Sequence, residues 1–172
     1  ITIGNHPYYF VSYSDDNNPV LITKEYIEIP DADSNCWRDN NVRAFLNGEY
    51  LKSLSPALQN RIVETSVQTK TPESSRDNPE FYTTMDRIFL PVPGNFLEES
   101  ESWTIYSEEI VFGGEKIPSD LVTGQQTLLR TPSVYSSTDF AGSNENDLAA
   151  FWGDYSPCTT WALPIMIVDV QS

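Results

Sequence analysis

The residues best suited to ligand binding lie in one late stretch of the chain, Ser133 to Thr160. This stretch mixes aromatic rings with small polar side chains and glycine, a mixture typical of evolved binding loops. Because a loop this long inside a compact domain is usually functional or disordered, we predict a binding surface here. The alternative is a solvated loop whose rings fold back onto the core. The predicted ligand-binding residues are Tyr135, Ser137, Asp139, Phe140, Asn144, Asn146, Trp152 and Tyr155.

The same stretch contains an oxygen-rich group of side chains, which makes a calcium site the alternative to a protein or glycan surface. Its members, Asp139, Asn144, Glu145, Asn146 and Asp147, supply carboxylate and amide oxygens. Calcium takes about six to eight oxygen ligands, so side chains of this kind are necessary for a site but do not define one. We therefore predict no metal and no other cofactor, and calcium here is the less favoured alternative.

Residues for catalysis are poorly represented. The single histidine, His6, precedes Pro7 at the start of a predicted strand, which disfavours a Ser–His–Asp arrangement. Cys36 has no evident base beside it in sequence. Glu98 and Glu99 are of the type used by glycosidases, but adjacent acids usually form a solvated face. We predict that the protein is not an enzyme, and a polysaccharide hydrolase ranks third among the functions considered.

The charge balance disfavours several classes of partner. The chain has 25 acidic and 10 basic residues, for a formal net charge of −15. Nucleic acid is an unsuitable partner because phosphate binding requires a surface of Lys and Arg, and the same argument applies to anionic membranes. No apolar run is long enough to cross a bilayer, so we expect no membrane insertion. The 172 residues fit one domain, residues 1–172.

The chain ends and the cysteines leave alternatives open. The sequence begins Ile-Thr-Ile without a signal-peptide pattern, so we expect a processed product or a domain cut from a longer protein. Cys36 and Cys158 are far apart in sequence and could form one disulfide or remain two buried thiols.

The elements that must position the binding surface begin with a predicted hairpin. Strand-forming residues at 8–13 and 20–23 flank a Ser-Asp-Asp-Asn-Asn-Pro turn, and residues 26–30 form a short extension. The predicted exposed loop comprises residues 70–82. Further predicted strands are Thr65–Thr69, Arg87–Pro91, Thr127–Pro132 and Trp161–Val170, and the last of these should pair beside the hairpin.

Two helices are predicted between the hairpin and the later strands. The first covers residues 36–51 and places Val42, Phe45 and Leu46 on one face. Asp39 or Asn40 is its expected cap, and Trp37 packs before that cap. Gly48 is one candidate for its end, and continuation of the apolar stripe through Tyr50 and Leu51 is the alternative. The second begins at Ser55-Pro56, since Ser is a favoured cap and Pro suits the first helical position.

Arg130 lies in the predicted strand at 127–132, among apolar residues. A charge in such a strand must be paired or reach solvent. We predict a structural ion pair with Asp169 or with an acid of the following loop, in preference to a ligand contact.

The order of these segments resembles an uncharacterised bacterial and phage-borne domain family. The matching segments are the helix motif Val42-Arg43-Ala44-Phe45-Leu46-Asn47-Gly48, the strand Asp86-Arg87-Ile88-Phe89-Leu90 and the segment Leu129-Arg130-Thr131-Pro132. Leu128 replaces a frequent Trp of the family, and Leu163-Pro164-Ile165-Met166 replaces its Arg-Pro-Ala-Leu.

The resemblance extends to C-type-lectin-like domains. It implies an α+β fold in which two helices flank a twisted antiparallel sheet, the N- and C-terminal strands pair, and a long late loop region forms a surface. It further implies a receptor- or glycan-binding domain of a bacterial surface protein or phage virion protein, located outside the cell. Its partner would be a protein or glycan on a cell surface. The alternative is a structural or assembly domain, within a larger and homo-oligomeric protein, that has no ligand of its own.

Overall fold

The computed structural model describes residues 1–73, 80–92, 127–132, 148–151 and 160–170. Within them the protein has a mixed α+β fold with few helices, and its paired strands run antiparallel. The strands are β1 (Thr2–Ile3), β2 (His6–Tyr13), β3 (Pro19–Thr23), β4 (Ile27–Glu28), β5 (Thr65–Lys70), β6 (Phe81–Asp86), β7 (Ile88–Phe89), β8 (Thr127–Pro132), β9 (Leu148–Phe151), β10 (Trp161–Ala162) and β11 (Ile165–Ile167). The helices are a 3₁₀ turn (Trp37–Asp39), α1 (Asn41–Phe45), a π-helical turn (Leu46–Tyr50), α2 (Leu51–Ser53) and α3 (Pro56–Gln59).

The largest sheet has five strands in the order β1-β2-β3-β11-β7. The predicted hairpin is confirmed as β2 and β3, with Tyr9 opposite Ile22. Its turn closes through the Asn17 amide, which donates to the Ser14 carbonyl at 2.8 Å. Asn17 has a φ of 60°, a left-handed conformation that Asn tolerates better than most residues. A register shift between Phe10 and Ser12 marks a β-bulge in β2.

The C-terminal apolar run forms two short strands in place of the single strand predicted. It divides at Leu163-Pro164, because proline has no N–H to donate to a sheet. β11 lies between β3 and β7, which confirms the predicted pairing beside the N-terminal hairpin. Every residue from 162 to 168 is buried, as expected for a near-continuous apolar run.

Three two-stranded sheets complete the described pairing: β10 with β4, β5 with β6, and β8 with β9. The short extension predicted at residues 26–30 therefore belongs to a different sheet from the hairpin. The exposed loop predicted for residues 70–82 is wrong at both of its ends. Lys70 is fully buried in β5 opposite Phe81 of β6, so strand pairing prevails there over polar composition.

The first helix begins later and ends later than predicted. Trp37 lies in the separate 3₁₀ turn, and Asn40 caps α1 by accepting the Val42 N–H at 2.7 Å. Gly48 does not end the helix, because the chain continues through the π-helical turn and α2 to Ser53. The buried face predicted from the sequence is confirmed at Val42 and Leu46, which are fully buried.

The start predicted for the second helix is confirmed. Ser55 Oγ accepts the Leu58 N–H at 3.3 Å, and Pro56 occupies the first turn of α3. The helix ends at Gln59, and Ile62 forms an isolated antiparallel bridge with Val168. No helix among the described residues is long and apolar enough to cross a membrane.

Candidate functional site

The predicted binding stretch is divided by a strand that the sequence analysis missed. β9 lies within residues 133–160 and pairs with β8, so the stretch separates into residues 133–147 and 152–159, here called the late segments. All the predicted ligand-binding residues fall in the late segments and lie outside the described residues; they are Tyr135, Ser137, Asp139, Phe140, Asn144, Asn146, Trp152 and Tyr155. Also outside are the remaining members of the oxygen-rich group, the acids Glu98 and Glu99, and Cys158.

β8, the strand that precedes the first late segment, is buried along its whole length. Arg130 at its centre is fully buried and contacts residues of other strands of the same chain. Its Nε donates to Thr69 Oγ1 at 3.3 Å and its Nη2 to the Gln68 carbonyl at 3.2 Å, while Nη1 donates to the Leu90 carbonyl. The guanidinium also lies 5.7 Å from the centre of the Phe89 ring. These contacts, with one hydroxyl and two carbonyl oxygens, tie β8 to β5 and to the β7 region. The ion pair predicted with Asp169 or with an acid of the following loop stays a prediction.

Both late segments begin and end at described positions of the fold. Pro132 at the end of β8 pairs with Leu148 at the start of β9, so the segment 133–147 leaves and returns at neighbouring points. The segment 152–159 follows β9 and ends before Thr160, whose carbonyl accepts the Ile29 N–H at 2.8 Å. Binding residues commonly lie in chain segments that connect the strands of a rigid scaffold.

A buried carboxylate connects the 3₁₀ turn, α1 and β6. Asp86 Oδ2 accepts the Trp37 indole N–H at 3.0 Å and the Thr84 hydroxyl at 2.7 Å. Asp86 Oδ1 pairs with Arg43 Nε at 2.6 Å, and Arg43 also donates to the Arg38 carbonyl at 3.0 Å. Since the Asp86 side chain is fully buried, its charge must be compensated by these partners. The motifs containing Arg43 and Asp86 are therefore brought together by the fold.

Asn47, in the π-helical turn, connects the helix to β7. Its Oδ1 accepts the N–H groups of Arg87 at 2.8 Å and Ile88 at 3.0 Å. Its Nδ2 donates to the carbonyls of Ile88 at 2.8 Å and Arg43 at 3.1 Å. The asparagine of the sequence motif is thus explained by a side-chain amide that satisfies both kinds of backbone group.

A groove lies between the strand β4 region and one face of the helix. Its volume is about 740 Å³. The helix contributes positions 41, 44, 45, 48, 49 and 52, which share one face at helical spacing. The other wall is formed by Glu28, Ile29 and Pro30. We call this feature the Gly48 groove; its lining residues are Glu28, Ile29, Pro30, Asn41, Ala44, Phe45, Gly48, Glu49 and Lys52.

Gly48 leaves part of the helix without a side chain. A Cβ added at this position would meet no atom within 4 Å, so no close backbone approach requires glycine here. Glycine inside a helix costs about 0.5–1 kcal/mol relative to alanine. π-helical turns are rare and often occur at functional sites. The sequence signal for the groove was this glycine, which was interpreted as a helix end.

One aromatic ring, that of Phe45, lines the groove on the helix side. Phe45 and Tyr50 stack with centroids 6.5 Å apart. Burial raises the pKa of Tyr50 well above the usual value for tyrosine, and the nearby Tyr8 raises it further. Tyr50 is therefore a neutral phenol at all physiological pH values.

Cys36 is a free thiol within the described part of the chain, and Cys158, its only possible disulfide partner in this sequence, lies outside that part. It is partly exposed, and its Sγ lies 3.7 Å from the Tyr82 hydroxyl, which also accepts the Arg38 N–H at 3.1 Å. Burial raises the pKa of Tyr82, and the Cys36 hydrogen bond adds to this, while the backbone hydrogen bonds from Arg38 and Trp37 oppose it. These contacts hold the chain before α1 against Tyr82 of β6.

Metal-binding residues do not converge in the described part of the chain. There, no group of three or more His, Cys, Asp or Glu side chains is placed to hold an ion. Asp33 and Asn41 bond each other reciprocally, the Asn41 N–H to Asp33 Oδ1 at 2.9 Å and the Asp33 N–H to Asn41 Oδ1 at 3.1 Å. These two side chains therefore stabilise the start of the helix.

A family model described as "Domain of unknown function (DUF6273)" matches residues 17–149, well over half of the chain. The chain belongs to the DUF6273 family. The DUF6273 match includes Trp37, Arg43, Asn47 and Asp86, and thus the contacts that join the helix to β6 and β7. The resemblance to an uncharacterised domain family is confirmed at this level. Comparisons with curated proteins and with solved structures found no match.

Proposed function

We propose that this DUF6273 chain is a non-enzymatic binding domain of a bacterial surface protein or phage virion protein. Its ligand is a protein or glycan on a cell surface, and the late segments make the contact. The residues that bind are those with aromatic and small polar side chains: Tyr135, Ser137, Asp139, Phe140, Asn144, Asn146, Trp152 and Tyr155.

The observation that carries this proposal is the burial of β8 and the contacts of Arg130. A binding loop gains affinity when its ends are fixed, because less conformational entropy is lost on association. β8 is fully buried and pairs with β9, and Arg130 ties it to Gln68, Thr69 and Leu90. The described residues that flank the first late segment, Pro132 and Leu148, are therefore held by strand pairing.

The arrangement of the described strands is compatible with a C-type-lectin-like domain, the finer fold assignment that we propose. A strand near the C-terminus, β11, lies beside the N-terminal hairpin in an antiparallel sheet. The helical region packs its Val42 and Leu46 face into the core. Long segments lie between the late strands β8, β9 and β10. In this fold class the late segments supply the ligand surface.

The proposal is tested by applying the fluorescently labelled domain to a glycan array and to intact bacterial cells. The informative variant is Trp152→Ala, which removes a large amphipathic ring from a late segment. The matched control is Tyr13→Ala, since Tyr13 is 57% exposed and lies on β2. We expect Trp152→Ala to weaken binding about tenfold or more and Tyr13→Ala to leave it unchanged. Equal losses in both variants would contradict the proposal.

A second function, assembly within a larger protein, is favoured by the outer part of β2. Phe10 and Tyr13 are exposed, and their rings lie 4.9 Å apart in an edge-to-face arrangement. β1 covers β2 only as far as Tyr8, which leaves the edge beyond it without a described neighbour strand. Exposed apolar edges favour association between chains. Sedimentation of the wild type and of Tyr13→Lys at several concentrations distinguishes a monomer from a dimer that the lysine disrupts.

A further inference from the structure

The Gly48 groove is open at position 48, and its lining contains two acidic residues and one basic residue. A side chain at position 48 would enter open space, and glycine inside a helix lowers stability. No close packing contact explains why position 48 is glycine. A glycine is explained if the groove must stay free of a side chain at this point.

The charged residues of the groove favour a cationic occupant. Glu28 and Glu49 are both exposed, one on each wall, and Lys52 is the single basic residue of the lining. The whole chain carries a net charge of −15, which favours a cationic ligand over an anionic one. An anionic ligand would be repelled, and a neutral ligand would gain nothing from the field.

The uncharged residues favour a ligand with an apolar stem. The Phe45 ring, Ala44 and Pro30 provide hydrophobic surface beside the carboxylates. Lysine and arginine side chains place an aliphatic stem on apolar surface while their charged ends reach an acidic group. A Phe ring adds a cation–π contribution when the charge lies over its face.

We propose that the Gly48 groove binds a basic peptide segment of a partner protein. Aliphatic stems of Lys or Arg lie along Ala44, Phe45 and the bare backbone at Gly48, and the cations pair with Glu28 and Glu49. The lining residues of the groove lie outside the late segments in sequence, and this proposal does not depend on the function proposed for those segments.

The experiment uses a fluorescein-labelled peptide that alternates lysine and leucine, with anisotropy measured at about 0.15 M salt to suppress distant electrostatics. Glu49→Gln removes one groove carboxylate, and the matched control Glu64→Gln removes an exposed carboxylate outside the lining. We expect about threefold weaker binding for Glu49→Gln and little change for Glu64→Gln.

Two further variants separate the groove from the general field of the protein. Gly48→Leu fills the groove without changing the charge, and we expect at least tenfold weaker binding while the circular dichroism spectrum is retained. Lys52→Gln removes the positive charge that repels a basic peptide. We therefore expect the peptide to bind more tightly, an outcome that misfolding could not produce.

Several results would overturn the proposal. Equal losses in Glu49→Gln and Glu64→Gln would mean that the peptide senses only the net charge. Unchanged binding in a folded Gly48→Leu variant, or failure of the peptide to bind wild type, would exclude the groove as a basic-peptide site. Shifts of the Phe45 and Gly48 amide resonances with a neutral oligosaccharide, and none with the peptide, would assign it to a different ligand class.

Discussion

Trp37 and Asp86 lie 49 positions apart in sequence and are joined by a buried hydrogen bond of 3.0 Å between Nε1 and Oδ2. The same carboxylate pairs with Arg43 through its other oxygen at 2.6 Å. One acidic group thus fixes the start of the helix and the end of β6. The helix, in turn, forms one wall of the Gly48 groove.

The first prediction concerns this carboxylate. Asp86→Asn keeps the shape of the side chain but removes the negative charge. Arg43 forms its ion pair with that charge, and the Trp37 indole donates its hydrogen bond to the same group. We expect a loss of about 3 kcal/mol in the free energy of unfolding, measured by urea denaturation. Asp39→Asn is the control, because Asp39 forms an exposed pair with Arg38 at 3.8 Å. The control should change the unfolding free energy by less than about 0.5 kcal/mol, and similar losses in both variants would refute the account.

The second prediction concerns the link between the helix and β7. Asn47→Ala removes the partners of the Arg87 N–H, the Ile88 N–H and the Ile88 carbonyl. We expect a loss of about 3 kcal/mol, since each unsatisfied buried group carries a desolvation cost. Asn60→Ala, at an exposed asparagine that follows α3, should change stability by less than about 0.5 kcal/mol. A mild effect of Asn47→Ala would show that the helix does not depend on this side chain.

The third prediction compares two glycines. Gly48→Ala should raise stability by about 0.5–1 kcal/mol, because its Cβ meets open space and alanine favours the helix. Gly4→Ala should lower stability by about 1 kcal/mol, because Gly4 has a φ of 63°. Thermal melts followed by circular dichroism give both values. A destabilised Gly48→Ala variant would mean that the π-helical turn itself requires glycine.

The fourth prediction concerns alkaline pH. Burial raises the pKa of Tyr82 above its usual value of 10.0, so the folded state keeps the phenolic proton longer than the unfolded chain does. This stabilisation is fully present below about pH 10 and is lost as the pH rises, because the unfolded chain then binds fewer protons. Tyr82→Phe should therefore show a smaller fall in unfolding free energy between about pH 8 and pH 11.

The control for the alkaline measurement is Tyr13→Phe, at an exposed tyrosine. It should reproduce the wild-type fall. Part of the fall persists in Tyr82→Phe, because burial also raises the pKa of Tyr8, Tyr26 and Tyr50. If the unfolding free energy of Tyr82→Phe falls as much as that of the wild type, the raised pKa of Tyr82 does not contribute to the alkaline loss of stability.

Features with strong local causes could be predicted from the sequence. The hairpin followed from turn residues, and Asn40 and Ser55 were identified as caps because a side-chain oxygen next to a helix satisfies free N–H groups. The apolar run within the predicted strand Trp161–Val170 implied burial and pairing beside the hairpin, and β11 has both features.

Features that depend on distant contacts could not be predicted. Polar composition suggested a loop at Lys70, yet pairing with Phe81 places it in a strand. β9 was missed inside a stretch with loop-like composition because its partner, β8, determines it. Gly48 looked like a helix end, since local sequence cannot show that Asn47 holds the next turn onto β7.

The central claim is that the late segments bind a ligand presented on a cell surface. Amide hydrogen exchange on the domain, with and without the ligand found on the array, tests it most directly. We predict slower exchange on ligand addition in residues 133–147 and 152–159, with β8 unchanged. Slower exchange confined to residues 9–13 of β2, with none in the late segments, would contradict the claim and favour assembly.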